Sequence, residues 1–243
     1  MDRSVPNRGV LPPAARGDAT AIALKLQPPA APWYERRGER RLRLEGYERL
    51  KRCLDVLLVL AALPAVLAVL GLCALAVKID SPGPVLFVQN RTGRGGRRFR
   101  MYKLRTMLRN AEELKAQYMH LNELQWPDFK ISNDPRMTRV GRILRKTSLD
   151  ELPQLLNVLR GDMSLVGPRP TSFASSTYCL WHTARLELKP GLTGLWQVSG
   201  RNELEFNERV RLDIAYARHR SLWLDVRILL RTVGVMFTQR GAN

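Results

Sequence analysis

Two adjacent carboxylates, Asp150 and Glu151, lie in the stretch from Lys146 to Pro170, which reads KTSLDELPQLLNVLRGDMSLVGPRP. A basic run ends at Lys146, and a polar segment that contains Asp162 and Arg169 follows the pair. Phosphoryl transfer uses these groups, because carboxylates hold Mg²⁺ or attack phosphorus and guanidinium groups neutralise phosphate oxygens. The residue types and their spacing therefore indicate a phosphoryl-transfer site.

A purely structural interpretation of the same residues stays open at this point. Ser148 and Glu151 have the spacing of a helix capping box. Alternatively, Asp150 can itself cap a helix that begins with Glu151, Leu152 and Pro153. Pro153 favours the second arrangement, because proline is tolerated in the first helical turn but not further inside.

The composition predicts an anionic partner and a reducing compartment. Lys and Arg number 40 against 22 Asp and Glu, which gives a formal net charge of +18. This excess is typical of proteins that bind nucleic acid, anionic lipid or a phosphorylated substrate. The three cysteines are far apart and form no CxxC pair, so neither a disulfide framework nor a metal knuckle is indicated. The three histidines are equally scattered and predict no zinc site.

One segment, from Val56 to Val77, contains 22 residues without a charge. As a helix it would measure about 33 Å, enough to cross the hydrocarbon core of a bilayer. Basic residues flank both ends, which favours two cytoplasmic ends over a span. Pro64 should break or kink the helix. We therefore predict a re-entrant helix that enters and leaves the same leaflet, with Asp55 and Lys78 at the interface.

The chain as a whole is predicted to be α+β and mainly helical, with three regions. Residues 1–45 form a Pro- and Arg-rich tail that cannot bury enough apolar surface to order itself. Residues 46–80 form the membrane-inserted, re-entrant helix with its basic flanks. Residues 81–243 form a small cytoplasmic catalytic domain that contains a β-hairpin and interfacial helices.

Within the catalytic domain, periodicity and turn residues predict the elements. Strands over 85–90 and 99–104 are joined by a Gly-rich turn over 92–96. Alternation places Arg98, Arg100 and Tyr102 on one face of the second strand, and Phe99, Met101 and Lys103 on the other. Residues 189–201 read as a Gly-rich loop. Helices are predicted over 108–124, 137–145, 151–159, 173–188, 203–218 and 222–237.

Five segments of the sequence, in order, resemble the bacterial sugar transferases, also called monotopic phosphoglycosyl transferases. The resemblance runs from about Lys51 to the C-terminus. The segments are KRCLDVLLVL, KIDSPGPVLFVQNRTGRGGRRFRMYKLRTM, DPRMTRVGRILRKTSLDELPQLLNVLRGDMSLVGPRP, KPGLTGLWQVSGRN and SLWLDVRILLRT. The sequence departs from the family pattern in two places. Leu63 stands where relatives often have Ser, and 171–173 lack a Glu that many relatives carry.

The resemblance implies an enzyme at the bacterial inner (cytoplasmic) membrane, with its catalytic domain on the cytoplasmic face. It would transfer a sugar-1-phosphate from a nucleotide diphosphate sugar to undecaprenyl phosphate, the first membrane step of exopolysaccharide or related glycan synthesis. The segment GLTGLWQVSGRN resembles sequences of the exopolysaccharide-type branch of the family, whose donors are often UDP-glucose or UDP-galactose. Mg²⁺ is the expected cofactor, because the diphosphate must be neutralised. Membrane lipids are expected partners, and a homo-oligomer stays open.

The resemblance also implies roles for individual residues. Asp150 would be the nucleophile that forms a phosphosugar-enzyme intermediate, and Glu151 would hold Mg²⁺ or handle a proton. Asp162 is a third candidate metal ligand. Arg169 lies in the Pro-Arg-Pro of the family, where two prolines stiffen the backbone around a phosphate-binding guanidinium. Further phosphate-binding candidates by motif position are Lys103, Arg105, Arg145 and Arg201. Asp213 is expected to pair with an arginine.

Two other classes of function compete with this one. A membrane-tethered nucleic-acid binder would explain the charge, but the sequence shows no helix-turn-helix, zinc knuckle or aromatic RNA-binding pattern, so no nucleic-acid partner is predicted. A non-catalytic membrane scaffold would have no use for the intact Asp150–Glu151 pair, here called the dyad.

Overall fold

A computed structural model of the chain describes residues 44–123, 131–173, 180–200 and 204–238. The chain divides into a unit of residues Met1–Gly38 and a unit of residues Glu39–Asn243. The first unit lies outside the described residues, as do the predicted tail, up to residue 43, and Arg201. All described residues belong to the second unit.

Helix α1, Leu44–Asp80, is 37 residues long, which corresponds to about 55 Å. It continues through Pro64, so Pro64 does not break the helix, and a kink there stays a prediction. Proline removes one backbone hydrogen bond, whereas the Ala and Leu residues around it are strong helix formers. Of the described helices, α1 is the one long and apolar enough to cross a membrane, and 11% of its apolar window is buried. This exposure indicates association with a membrane, and the re-entrant path stays a prediction.

The predicted hairpin is confirmed. Strands β1, Leu86–Thr92, and β2, Arg98–Leu104, pair antiparallel, with Leu86 opposite Leu104. The turn between them contains two glycines in the left-handed conformation, Gly95 at φ 63° and Gly96 at φ 78°. Residues with a side chain rarely adopt this conformation. The alternation on β2 is also as predicted, because Met101 is buried and Arg100 is exposed.

Four shorter helices follow, close to their predicted positions. Thr138 caps the first of them by accepting a hydrogen bond of 3.0 Å from the backbone N–H of Gly141. Gly161 ends the second in the left-handed conformation, at φ 84°. The helices are α2, Arg139–Thr147; α3, Gln154–Arg160; α4, Phe206–His219; and α5, Leu222–Thr238.

Two predicted helices are replaced by shorter 3₁₀ turns. Where a helix was predicted over 108–124, the described part of the segment forms turns at Glu113–Lys115 and Met119–Leu121. Its apolar side chains have little to pack against, as Leu121 is 41% exposed, and packing is what stabilises most short helices. Of the helix predicted over 173–188, a 3₁₀ helix over Leu180–Glu187 is described.

A second sheet was not predicted. Strands β3, Ser164–Val166, and β4, Gly191–Thr193, pair in parallel, and β4 lies where a Gly-rich loop was predicted over 189–201. Strands of three residues are too short to show a period. Gly191 is required here because a Cβ on it would lie 2.1 Å from the backbone nitrogen of Gly167.

Helix α1 docks on the catalytic domain at two levels. Near its C-terminal end, Cys73 and Val77 pack with Leu104 and Leu144. Near its other end, Asp55 accepts hydrogen bonds from Ser164 Oγ at 2.7 Å and the Leu165 backbone N–H at 3.3 Å.

The place of Asp55 at the membrane interface stays a prediction. Its side chain is, however, 6% exposed and therefore buried in the protein. The reason is its pairing with β3, which a local sequence pattern cannot show.

Candidate active site

The dyad lies in a 3₁₀ turn, Leu149–Glu151, between α2 and α3. Ser148 ends α2 in the left-handed conformation, at φ 58°, and is the one non-glycine residue with positive φ among those described. Neither capping alternative is formed, because Ser148 makes no side-chain cap bond to the turn and Pro153 holds the N-cap position of α3. The left-handed conformation of Ser148 ends α2 and begins the turn that carries the dyad.

Glu151 is held in a cage of two cations. Its Oε1 accepts a hydrogen bond of 2.8 Å from Lys103 Nζ. Arg169 donates to both carboxylate oxygens, with 3.2 Å between Nη1 and Oε2. Burial raises the pKa of Glu151, but the charges and hydrogen bonds of Arg169 and Lys103 outweigh burial and hold this pKa well below its usual value. Glu151 is therefore a permanent carboxylate that fixes two cations.

Asp150 is more deeply buried and is not bonded in the same way. Its side chain is 7% exposed, against 15% for Glu151, and its Oδ2 lies 3.6 Å from Lys103 Nζ. Its carboxylate makes no hydrogen bond to any residue that the structure describes. Burial raises the pKa of Asp150, and the charge of Glu151 adds to this, although Lys103, Arg145 and Arg169 act in the opposite direction. A poorly solvated carboxylate next to cations has lone pairs available for a phosphorus centre.

A second layer holds the cage in place. Arg185 donates a hydrogen bond of 2.6 Å to the backbone carbonyl of Arg169. Arg185 in turn lies 2.7 Å from the carboxylate of Asp213, and both side chains are buried. The predicted pairing of Asp213 with an arginine is thus confirmed. Burial raises the pKa of Asp213 to about 6, against the charges of Arg185 and Arg209.

Lys103 is positioned by an amide that sequence reasoning missed. Asn157, on α3, is fully buried. Its Oδ1 accepts from the backbone N–H of Tyr102 at 3.2 Å, and its Nδ2 donates to the carbonyl of Arg100 at 2.7 Å. These bonds fasten β2 to α3 beside the dyad. Neither Asn157 nor Arg185 belongs to a pattern that would have singled it out in the sequence.

The remaining predicted phosphate ligands have different surroundings. Arg145 donates to Thr106 Oγ1 at 3.0 Å, and its charge acts on Asp150. Arg105 instead donates to the backbone carbonyls of Pro82 at 2.6 Å and Ser81 at 2.8 Å. Its guanidinium is buried in the turn that follows α1 and holds that turn, so the structure does not present it as a phosphate ligand.

Any Mg²⁺ at this site would be held by the dyad and not by three protein carboxylates. In the described ranges, no three His, Cys, Asp or Glu side chains form a group that could hold a metal ion. Asp162 is therefore not gathered with Asp150 and Glu151, and it lies 3.3 Å from Asn157 Nδ2 and 3.8 Å from Arg160 Nε. Mg²⁺ commonly takes one or two protein carboxylates and completes its shell with substrate phosphates and water. The dyad offers that donor set.

The chain is similar in sequence to known transferases. The chain is 48% identical over 163 residues to the galactosyl transferase CpsE of Streptococcus agalactiae, and 48% identical over 165 residues to the undecaprenyl-phosphate galactose phosphotransferase of Salmonella typhimurium. Each match covers 66% of this chain but only 36% and 35% of those relatives. The chain thus spans about a third of their length.

A relative of more similar size is the UDP-glucose:undecaprenyl-phosphate glucose-1-phosphate transferase of Caulobacter vibrioides. The two are 48% identical over 204 residues, which is 79% of this chain and 71% of the relative. The sequence profile described as bacterial sugar transferase matches residues 46–239, which include α1, both sheets and the dyad. The chain belongs to the bacterial sugar transferase family.

Proposed function

We propose that the protein transfers a sugar-1-phosphate from a UDP-sugar to undecaprenyl phosphate through a covalent intermediate on Asp150. The observation that carries this proposal is the contrast within the dyad. Glu151 is bonded by Lys103 and Arg169, whereas Asp150 has no hydrogen bond to the described residues and one cation at 3.6 Å. A structural ion pair would use both carboxylates, so the arrangement supports one nucleophile and one organiser.

In the first step, a carboxylate oxygen of Asp150 attacks the phosphorus that bears the sugar. The new bond joins this oxygen to phosphorus, the phosphoanhydride bond breaks, and UMP leaves with the bridging oxygen. In the second step, an oxygen of undecaprenyl phosphate attacks the same phosphorus. The bond to Asp150 breaks, and its carboxylate is regenerated as the polyprenyl diphosphate sugar leaves. Two successive displacements at one carboxylate predict ping-pong kinetics.

Cations on this chain neutralise the charge that moves during both steps. Lys103 lies between the two carboxylates, at 2.8 Å from Glu151 and 3.6 Å from Asp150, and can follow phosphate oxygens as they approach. Arg169 presents a planar fork that suits phosphate. Mg²⁺, held by the dyad and the diphosphate, would supply further charge neutralisation for the leaving group. Glu151 keeps Lys103 and Arg169 in position before substrate binds.

We place the reaction at the cytoplasmic face of the inner membrane. The lipid tail of the acceptor stays in the bilayer, so the dyad must lie near the membrane surface. The exposed leucines of α1 support contact with a membrane, because Leu57, Leu67 and Leu72 are 62%, 57% and 71% exposed, as expected for side chains that meet lipid. A re-entrant path for α1 would bring both of its ends to that face.

UDP-glucose and UDP-galactose are the donors we expect. The printed names of the Salmonella and Caulobacter relatives specify galactose and glucose phosphate transfer to undecaprenyl phosphate. The Caulobacter relative is matched over 79% of this chain. We therefore propose a hexose-1-phosphate product on the lipid carrier, as the first membrane step of exopolysaccharide or related glycan synthesis.

UMP release tests the proposal directly. The protein in nanodiscs is given Mg²⁺, undecaprenyl phosphate and a panel of UDP-sugars. We expect release from one hexose donor by the wild type and by Asp162→Asn, which removes a carboxylate outside the dyad. Asp150→Asn should release none. Without the lipid, mass spectrometry should find hexose phosphate on the peptide that contains Asp150. Turnover by Asp150→Asn would contradict the proposal.

A further inference from the structure

A second site lies between the N-terminal part of α1, the tip of the hairpin and the segment before β4. It is a cavity of about 70 Å³, room for about five water molecules and hence for a tetrahedral oxyanion. None of the dyad residues or Arg169 lines it. Its lining has five cationic and two anionic side chains, a net excess of three positive charges. The cations are Lys51, Arg52, Arg94, Lys189 and Arg220, and the anions are Glu48 and Asp55.

Both carboxylates in the lining already have partners. Glu48 accepts from Arg94 at 3.0 Å. Asp55 accepts from the hydroxyl of Ser164 at 2.7 Å and from the backbone N–H of Leu165. Both acids are therefore engaged by these donors, although their charges still act favourably on Lys189.

Two of the cations are also satisfied within the protein. Lys51 lies 2.9 Å from Asp225, with which it forms an ion pair. Arg52 donates to the backbone carbonyls of Val158 and, at 2.7 Å, of Leu159, at the C-terminal end of α3. These bonds satisfy the helix end, where cations commonly cap orphan carbonyls.

Lys189 is the exception. Its ammonium makes no hydrogen bond or ion pair with any part of the chain that the structure describes, although it is half-buried. Burial lowers the pKa of Lys189, and the charges of Arg52 and Arg94 lower it further. A half-buried ammonium among like charges is unfavourable unless an anion completes the site. In the same lining, the buried Nε of Arg220 has no acceptor among the described residues.

We propose that this cavity binds a phosphate group, with Lys189 as its principal ligand. The site is distinct from the dyad, because α3 separates them. The dyad precedes the start of α3, and Arg52 and Lys189 lie at its end, seven residues or about 10 Å further on.

The phosphate has two possible sources with the same chemistry, an anionic lipid headgroup and phosphate in solution. The cavity lies beside residues 47–55 of α1, immediately before the apolar run. Leu54 and Leu57, one turn apart, are 37% and 62% exposed. If these leucines meet the acyl region, the cavity opens at the level of the headgroups. This inference does not depend on the proposed reaction.

The test compares Lys189→Met with Lys115→Met, which makes the same change on an exposed lysine that does not line the cavity. Thermal unfolding is followed in neutral detergent against inorganic phosphate at constant ionic strength. Separately, native mass spectrometry counts phosphatidylglycerol retained from mixed phosphatidylglycerol–phosphatidylcholine nanodiscs. Lys189→Met should fold and be at least as stable as wild type without phosphate, because it removes an unpaired charge. Lys189→Arg should retain binding.

We expect Lys189→Met to weaken binding about tenfold or more, since one charge-assisted hydrogen bond is lost. Loss of the phosphate-dependent shift in Lys189→Met alone assigns the site to soluble phosphate. Loss of retained phosphatidylglycerol, without any phosphate shift in wild type, assigns it to a lipid headgroup. If Lys189→Met and Lys115→Met behave alike in both measurements, the proposal is wrong. Neither measurement uses turnover, so failure of the proposed reaction would not affect the result.

Discussion

Two aspartates, Asp150 in the dyad and Asp225 where α1 meets α5, are equally buried but differ in their hydrogen-bond partners. Asp225 accepts hydrogen bonds from Tyr216 at 2.6 Å, Tyr47 at 2.8 Å and Lys51 at 2.9 Å. Asp150 is buried to the same degree but has one cation at 3.6 Å. Burial raises the pKa of both carboxyls.

The comparison separates a carboxylate that stabilises the fold from one that can react. At Asp225, three donors compensate for lost hydration, and the network ties the start of α1 to the C-terminal helices. At Asp150, the lost hydration is not compensated by hydrogen bonds within the described residues, so the group gains from binding an electrophile or a metal. Burial alone therefore does not identify a catalytic acid, and the hydrogen bonds that compensate for burial at Asp225 are what distinguish it from Asp150.

The largest effect should come from Asp150→Asn. We expect at least a 10⁴-fold loss of turnover, as for removal of other nucleophiles, because no phosphosugar intermediate can form. The melting temperature should stay the same or rise, since a buried, unbonded carboxylate is removed. Activity assays and thermal unfolding of the same preparation measure both. A marked fall in melting temperature would show that Asp150 is structural, like Asp225.

Asp225→Ala should do the opposite, lowering stability and leaving turnover unchanged. Lys51 would be left buried without its partner, and we expect unfolding to become easier by about 3–5 kcal/mol. The fraction that stays folded should keep its turnover. Tyr47→Phe is the graded control and should cost about 1 kcal/mol, because it removes one donor of three. Denaturant unfolding measures both, and an Asp225→Ala protein of normal stability would break the comparison.

Asp213, which pairs with Arg185, is a third buried aspartate. Its raised pKa should make the stability of the protein depend on pH. Its folded-state pKa is raised to about 6, against about 3.9 unfolded. The folded state therefore binds the extra proton, and the associated stability is complete below pH 4 and lost as pH rises through 6. Two pKa units correspond to about 3 kcal/mol.

Asp213→Asn should remove this part of the pH dependence. Thermal unfolding between pH 4 and 7 measures it, with Glu112→Gln as the control at an exposed carboxylate. Parallel curves for wild type and Asp213→Asn would show that Asp213 keeps an ordinary pKa and is a simple ion pair.

Arg169→Lys sharpens the comparison on the catalytic side. Lysine keeps the charge but cannot donate to both oxygens of Glu151 at once. We expect about a thirtyfold loss in kcat/KM, or about 2 kcal/mol, with little change in stability. Steady-state kinetics with the preferred UDP-sugar measure it. A loss no greater than that of Arg160→Lys, a solvent-exposed arginine on α3, would remove Arg169 from the site.

Elements with strong local signals were predictable. The apolar run of α1, the hairpin with its glycine turn, and the helices α2, α4 and α5 follow from periodicity and capping residues within a few positions. The parallel pair of β3 and β4 was not predictable, because its strands are three residues long and their pairing depends on close approach of Gly167 and Gly191. The helix predicted over 108–124 is absent from the described part of the segment, where Leu108 and Leu121 on its apolar side are each 41% exposed.

The sequence by itself determined which residues form the dyad, which arginine follows it, and that a long apolar helix precedes the catalytic domain. Only the tertiary structure decided that Glu151 is bonded and Asp150 is not, and that Arg105 holds a turn. It likewise decided that Asp55 is buried against β3 and that Lys189 has no partner in the described chain. The physical reason is that burial and pairing depend on residues far apart in the chain, such as Lys103 and Glu151. Local sequence patterns do not show which distant residues come into contact.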